Sequence, residues 1–169
     1  YTYKVKARTV KSLTNLPVNL LTSQPVYQFS KIIMLKKSHI KTLLVSTTDN
    51  GEDIIHTEAD GGCLIDESGL MLRYAERDND GTASLLLTDG LADLKRNGRI
   101  KSRMTFVDGK LVPCAYTTPN GALDFSLYTH STQLNVTPEG GRFEARYTML
   151  ATGKQVADNV LTVEWQFTN

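Results

Sequence analysis

The sequence predicts an all-β protein that folds as an antiparallel, up-and-down β-barrel of about eight to ten strands. Between Gly69 and Gly121, short apolar or alternating runs are interrupted by a turn roughly every eight to twelve residues. Asp-Gly and Asn-Gly pairs supply the positive φ angles that tight hairpin turns require. A meander of this kind loses its exposed edges by closing into a barrel. The turns are DNDG (78–81), TDG (88–90), RNG (96–98), VDG (107–109) and TPNG (118–121).

The predicted strands begin after His39, and no segment shows a helical period. The pair Gly61-Gly62 predicts a β-bulge in the second strand. A weaker strand over 132–137 is predicted as separate from the strand before it. In order, the predicted strands cover 40–48, 53–65, 70–76, 82–88, 91–96, 99–107, 110–118, 122–128, 132–137, 142–151 and 155–167.

Alternation within these strands assigns their two faces, because successive side chains of a strand point to opposite sides. Apolar residues should point into the barrel and charged residues into water, and a slip of one residue would reverse the two faces. The predicted inward sets are Ile100, Ser102, Met104 and Phe106; Phe143, Ala145, Tyr147 and Met149; and Leu161, Val163, Trp165 and Phe167.

The N-terminal part of the chain differs in composition from the rest. Residues 1–48 hold eight Lys or Arg and no Asp or Glu, whereas residues 49–169 hold eleven Lys or Arg and eighteen Asp or Glu. All twelve glycines lie between Gly51 and Gly153. We therefore expect a basic extension over 1–33, outside the fold, and a barrel domain over 34–169 that starts at Met34. The alternative is an arm that packs on or plugs the barrel, with a buried side formed by Leu13, Leu16, Val18, Leu20 and Leu21.

Two isolated cysteines, Cys63 and Cys114, fit a reducing cytoplasm, since secreted domains of this size usually carry more. No apolar run approaches the roughly 20 residues that a membrane span needs, so no membrane partner is expected. The basic arm could contact phosphates, but the acidic barrel would repel them, which disfavours nucleic acid as a partner. The sequence leaves the oligomeric state open.

Motifs for catalysis, cofactors and metals do not occur in the chain. There is no GxSxG, HExxH or P-loop, so no cofactor is expected and an enzyme is the least favoured class. The run 78–81 resembles the start of a calcium loop, but Asp89 stands at the twelfth position instead of Glu, and a hairpin turn explains it. We expect His56 at the surface and Cys114 as a small buried residue.

Several motifs resemble the uncharacterised bacterial YwiB-like β-barrel family. They are GLMLRYAE (69–76), RMTFVDGK (103–110) and YTTPNGALDF (116–125), with a late Tyr147…Gly153…Leu161 pattern. The resemblance covers residues 40–164 and implies a calycin (lipocalin-like) barrel in a bacterial cytoplasm, with no established activity. Asn120 departs from an aromatic position of the family pattern, and the arm before Met34 has no counterpart there.

Related lipid-binding barrels hold a ligand carboxylate with an interior Arg and Tyr, and this directs attention to Arg73. If Leu72 and Tyr74 are core, Arg73 points outward as a solvated charge. In the opposite register Arg73 is an interior cation that could bind a carboxylate in a bidentate manner. Its companions in a ligand-binding site would then be Arg103, Tyr116, Tyr128 and, as internal counter-ion, Asp124.

Two functions remain as the main alternatives. The barrel binds a small apolar or amphipathic ligand in its interior, or it is filled and acts as a protein-interaction or structural module. Barrels of eight to ten strands can do either, so the strand count does not separate the two.

Overall fold

The computed structural model describes residues 34–168, so the predicted extension over 1–33 lies outside the described residues, as does residue 169. The described part forms ten strands and one short 3-10 helix, Arg77–Asn79. Within it, no helix has the length and apolar character needed to cross a membrane. The strands are β1 (Met34–Thr48), β2 (Gly51–Asp66), β3 (Gly69–Glu76), β4 (Gly81–Thr88), β5 (Leu91–Asn97), β6 (Lys101–Phe106), β7 (Leu111–Thr118), β8 (Gly121–Thr137), β9 (Gly140–Ala151) and β10 (Lys154–Phe167).

The ten strands close into a barrel in which each strand pairs antiparallel with its neighbours in sequence. The barrel closes between β1 and β10, from the pair Ser38–Phe167 to the pair Thr47–Asp158. This confirms the predicted up-and-down antiparallel barrel. Consecutive hairpins therefore lie at opposite ends. The hairpins that follow β2, β4, β6 and β8 form one end, named the open end below, and the others form the far end.

Two predicted irregularities are corrected by the structure. The break between 122–128 and 132–137 is wrong, because β8 continues through a register shift between Thr129 and Ser131 and keeps its pairing with β9. The bulge at Gly61-Gly62 is wrong too, since β2 pairs in constant register with both neighbours. Gly61 instead permits a close approach, because a Cβ there would overlap the carbonyl of Arg73 on β3.

The hairpin between β7 and β8 shows why the turn motifs end in glycine. Thr118 Oγ1 accepts a hydrogen bond from the backbone N–H of Asn120 at 3.1 Å, and Gly121 follows with φ +127°. Thr48 and Gly51 repeat this arrangement between β1 and β2, where Gly51 has φ +126°. Residues with a Cβ rarely adopt such angles, so glycine fixes the place of each turn.

Large inward side chains fill the middle of the barrel. The ring of Phe106 packs against Phe143 and Tyr147, with centroid separations of 6.2 and 5.1 Å. Val163 and Trp165 are also buried, as the alternation of the last strand predicts. Their neighbours in this core include Ile40, Leu72, Leu85, Met104, Leu127, Ala145 and Leu161.

Candidate functional site

Arg73 lies on the outer face of β3. Its side chain is exposed, while its chain neighbours Leu72 and Tyr74 are buried. Because neighbouring side chains point to opposite faces of a strand, Arg73 points away from the interior. The structure therefore shows Arg73 in the outward orientation. The alternative prediction, in which Arg73 is a cation inside the barrel, is wrong.

Three of the predicted companions of Arg73 also lie outside. Arg103 is exposed on β6, and Asp124 and Tyr128 are exposed on β8, on the face opposite the buried Leu127. Arg103 and Asp124 both pair with Ala115 of β7, so they flank one residue of the outer surface. These three side chains occupy alternate positions that point outward, so they do not belong to a ligand site inside the barrel.

Tyr116 is the one predicted site residue that faces inward. It pairs with the buried Ser102 of β6, and its ring meets that of Phe125 edge-on, with centroids 5.6 Å apart. Tyr116 therefore contributes to the core of the barrel. The structure does not bring the five predicted residues together into one interior site.

Arg96, on β5 near the far end of the barrel, has a guanidinium group on the inner face. Arg96 pairs with the buried Ala83 and Ser102, which places all three on the inner face. Its Nε donates to both carboxylate oxygens of Glu76, at 2.8 and 3.0 Å. A half-buried guanidinium is stabilised by such a partner, because burial of an unpaired charge is costly. Arg96 is already neutralised here.

Asn79 completes this closure from the 3-10 helix. Its Nδ2 donates to Glu76 Oε2 and to the carbonyl of Ile100, both at 2.9 Å, and its Oδ1 accepts from the Ile100 N–H at 2.6 Å. The run 78–81 thus serves as a turn that closes the far end. No group of three His, Cys, Asp or Glu in residues 34–168 could hold a metal ion.

The open end holds a cavity of about 480 Å³. Leu134 and Val136 of β8 reach it from one side, and they remain 48% and 49% exposed. The floor is formed by Leu87 and Phe143, which are buried core residues. Further apolar lining comes from Ile65, Leu70, Leu91 and Ala92.

Short pairing of β7 explains why the barrel opens here. β7 pairs with β8 only as far as Leu111–Tyr128, and with β6 only over three residues, from Lys101–Thr117 to Arg103–Ala115. Beyond Thr129, β8 keeps a strand partner only in β9 among the described residues. The inner side chains at the end of β8 therefore lack cover and line the cavity.

Polar groups of the cavity lie at its rim. Asp66 and Asp89 belong to the turns after β2 and β4, and Thr88 and Thr132 add hydroxyl groups. Asp66 Oδ1 accepts a hydrogen bond from the Ser68 backbone N–H at 2.7 Å. The cavity thus combines an apolar floor with an acidic rim.

Lys36 is a cation on the inner face of β1, close to the open end of the barrel. The alternation of side chains along β1 indicates the same orientation. Lys36 pairs with the buried Cys63, so it lies on the inner face of β1, and its Nζ is 4.1 Å from the centroid of the Phe167 ring. The ring stabilises the ammonium group from within the barrel. The next inward position of β2 after Cys63 is Ile65, which lines the cavity.

Ionisable groups in the core are held neutral by their burial. Burial raises the pKa of the Cys63 and Cys114 thiols to about 11. Burial also raises the pKa of Tyr74 and Tyr147 well above the usual range. At neutral pH these groups therefore provide neither a nucleophile nor a base. Cys114 is the small buried residue that its sequence context indicates.

Two comparisons with known proteins find matches, one to a protein family and one to a solved structure. Residues 39–163 match a family described as a domain of unknown function, DUF1934. The crystal structure of the ywiB protein from Bacillus subtilis is similar, with a TM-score of 0.71 and 20% sequence identity, over 80% of this chain and 94% of that one. No curated protein matches this chain significantly. At this identity the structural likeness supports the fold alone.

Proposed function

This chain belongs to the DUF1934 family, a domain of unknown function, so we propose a function from its own residues. We propose that it binds a small apolar or amphipathic molecule at the open end of the barrel. The cavity there is the main support. Its volume of about 480 Å³ lies in the range of small-molecule sites, roughly 300–1,000 Å³. Its walls are mostly apolar, as in most such sites.

The ligand occupies one end of the barrel and does not run through it. Phe106, Phe143 and Tyr147 fill the middle, and the Arg96–Glu76 pair occupies the inner face near the far end. Binding therefore uses the barrel interior in a calycin-like (lipocalin-like) manner, but at shallow depth. The apolar part of the ligand contacts Leu87 and Phe143, and its polar part lies at the rim.

The rim favours a neutral or cationic polar group on the ligand. Asp89 is exposed at the tip of the turn between β4 and β5, and Asp66 is a second carboxylate in the lining. An anionic head group would meet like charge there, whereas an ammonium or hydroxyl group would not. The two buried free thiols support a cytoplasmic location for this binding protein.

Val136 and Asn135 allow a matched test with the full chain. Val136 pairs with Gly141 and faces the cavity, whereas Asn135 is exposed on the opposite face of the same strand. The probe is the neutral apolar dye Nile red, followed by its fluorescence. We expect Val136→Phe to fill the mouth and weaken Nile red binding about tenfold, and Asn135→Phe to bind like the unmodified chain.

Competition for bound Nile red then tests the polar group. Dodecylamine and dodecanol should displace the dye at lower concentrations than dodecanoate at low ionic strength. Two outcomes would contradict the proposal of ligand binding at this cavity. The unmodified chain and both variants could bind Nile red equally, or none of them could bind it. In either case the alternative of a protein-interaction or structural module becomes the leading function.

A further inference from the structure

We propose that the outer half of β2 binds a basic, extended segment of a partner protein as an added antiparallel strand. β2 pairs with β3 only from Gly61 to Asp66, whereas it pairs with β1 along its whole length, from Gly51 to Ile65. Residues 51–60 thus have a strand on one side and, among the described residues, none on the other. An unpaired strand edge is a template for another chain.

Every second residue of this edge presents its backbone to the free side. In an antiparallel pair, residues alternate between positions bonded to the partner strand and positions bonded away from it. The two-residue turn makes Thr48–Gly51 a bonded pair, so Asp53, Ile55 and Thr57 also bond to β1. The residues whose N–H and C=O point to the free side are therefore Glu52, Ile54, His56, Glu58 and Asp60.

The edge lacks the lysines, the prolines and the bulge that often prevent pairing at an exposed strand. It has no Lys, Arg or Pro between Gly51 and Asp60, and no bulge turns it away. Ile54 and Ile55 are 63% and 54% exposed, one on each face of the strand. An added strand would cover part of both side chains, which gives the contact an apolar contribution.

Charge selects the partner. The edge carries Glu52, Asp53, Glu58 and Asp60, which favours a segment rich in Lys or Arg. Lys41 of β1 lies 3.2 Å from Glu58, and His39 contacts both Glu58 and Asp60, so the field of the edge is reduced but remains acidic through Glu52 and Asp53. A second copy of this chain is disfavoured, because edge-to-edge pairing would bring like charges together.

Space for the added strand is present beside the edge. A groove of about 390 Å³ lies between Thr57 and Glu58 of β2 and the chain after Ala75, beyond the point where β3 leaves β2. Its carboxylates, Glu58, Glu76 and Asp78, outnumber its two guanidinium groups, those of Arg77 and Arg96, and Arg96 is paired with Glu76. A strand added to β2 would enter this groove with one end. The surface therefore provides backbone groups, apolar side chains, complementary charge and room for one strand.

The test measures amide hydrogen exchange in the full chain with a synthetic peptide. The probe is a ten-residue peptide of alternating Lys and Val, acetylated and amidated, and its control has Glu in place of Lys. On binding we expect slower exchange at the five outward amides, those of 52, 54, 56, 58 and 60. The amides of Asp53, Ile55 and Thr57 should change little, because they already bond to β1. The Glu peptide should bind at least about tenfold more weakly.

Two variants at Ile54 separate strand pairing from charge attraction. Ile54→Pro removes an outward N–H without loss of a bond to β1, and Ile54→Thr keeps that N–H. We expect about tenfold weaker peptide binding for Ile54→Pro than for Ile54→Thr. If Ile54→Pro does not fold, Glu52→Lys, Asp53→Lys replaces it as a test of charge, with the same expected loss, and the exchange pattern of the outward amides in the unmodified chain distinguishes strand pairing from charge attraction.

Three results would overturn strand addition at this edge. The Lys peptide could fail to bind, or it could bind without slower exchange at the outward amides. Those amides could also exchange slowly before any peptide is added, which would mean that the edge is already occupied. Because Nile red and this peptide test different places on the barrel, failure of one proposal is distinguishable from failure of the other.

Discussion

Arg103 donates from Nε to both carboxylate oxygens of Asp93 across β5 and β6, at 3.1 and 3.2 Å. The Asp93 side chain is only 5% exposed, although it lies on the outer face, because Arg103, Thr105 and Lys95 cover it. The hydrogen bond to Asp93 also raises the pKa of Arg103. Arg103 is therefore a structural partner of a covered carboxylate, and ligand binding is not needed to explain it.

Removal of that partner should destabilise the barrel. Arg103→Met leaves the Asp93 carboxylate covered with only Thr105 and Lys95 as partners, and an under-satisfied buried carboxylate is costly. We expect a lower urea midpoint for Arg103→Met than for the unmodified chain. Arg73→Met is the matched control, since Arg73 is exposed and makes no ion pair with a described residue.

The same control tests the sequence-based role of Arg73. Arg73→Met should leave the urea midpoint and the affinity for Nile red unchanged, because the side chain points into water. Equal urea midpoints for Arg103→Met and Arg73→Met would contradict the structural role of Arg103. A loss of dye binding in Arg73→Met would contradict its outward position.

Alternation and turn chemistry were sufficient to predict the barrel. Trp165 and Val163, or Tyr147 and Ala145, recur at every second position, and this fixes both the strand type and its inward face. The predicted break in β8 is wrong because the polar residues His130 and Ser131 resemble a turn in the sequence. In the structure the extra residue is absorbed as a bulge, and pairing with β9 continues.

The cavity at the open end is harder to predict, because it depends on where the hydrogen-bonded pairing of neighbouring strands ends. Alternation along β6 puts Arg103 on the outer face with Lys101, and alternation along β5 puts Arg96 on the inner face with Leu94 and Ala92, so this signal for Arg96 is present in the sequence. The cavity has no local sequence signal of its own. It arises because β7 leaves the end of β8 uncovered, and the length of a ladder is set by tertiary pairing, not by composition.

The two thiols should be inert in the native protein. Burial raises the pKa of Cys63 and Cys114 to about 11, so at pH 8 almost no thiolate is present, and access to both sulfurs is blocked. We expect no reaction with a disulfide reagent such as dithiobisnitrobenzoate in native buffer and two reactive thiols in denaturant. A native thiol that reacts at the rate of free cysteine would contradict this burial.

The contact between β1 and the edge of β2 should respond to pH. Hydrogen bonds to Asp60 and then to Glu58 raise the pKa of His39 above its ordinary value of 6.5. The stabilisation by protonated His39 is therefore complete below about pH 6.5 and is lost as the pH rises through the raised pKa. Hydrogen bonds from Lys41 and His39 lower the pKa of Glu58, so its contribution is present above about pH 4.5 and is lost in acid.

An NMR titration of His39 checks this directly. The imidazole should titrate above 6.5 in the unmodified chain, and Asp60→Asn should move its pKa down toward that value. Asp53→Asn is the control, because Asp53 pairs with Ser46 and not with His39. If His39 titrates at or below 6.5 in the unmodified chain, the contacts with Asp60 and Glu58 do not form in solution.

Gly141 makes room for the one tryptophan of the chain. Gly141 and Trp165 pair across β9 and β10, and a Cβ at Gly141 would overlap the buried indole ring. We expect Gly141→Ala to lower the free energy of unfolding by about 1–3 kcal/mol, the usual cost of overpacking. Gly62→Ala is the control, since its Cβ would meet Leu35 Cδ1 at 3.7 Å, an ordinary contact. Urea unfolding followed by Trp165 fluorescence measures both variants, and equal midpoints would contradict the close packing of Trp165 on Gly141.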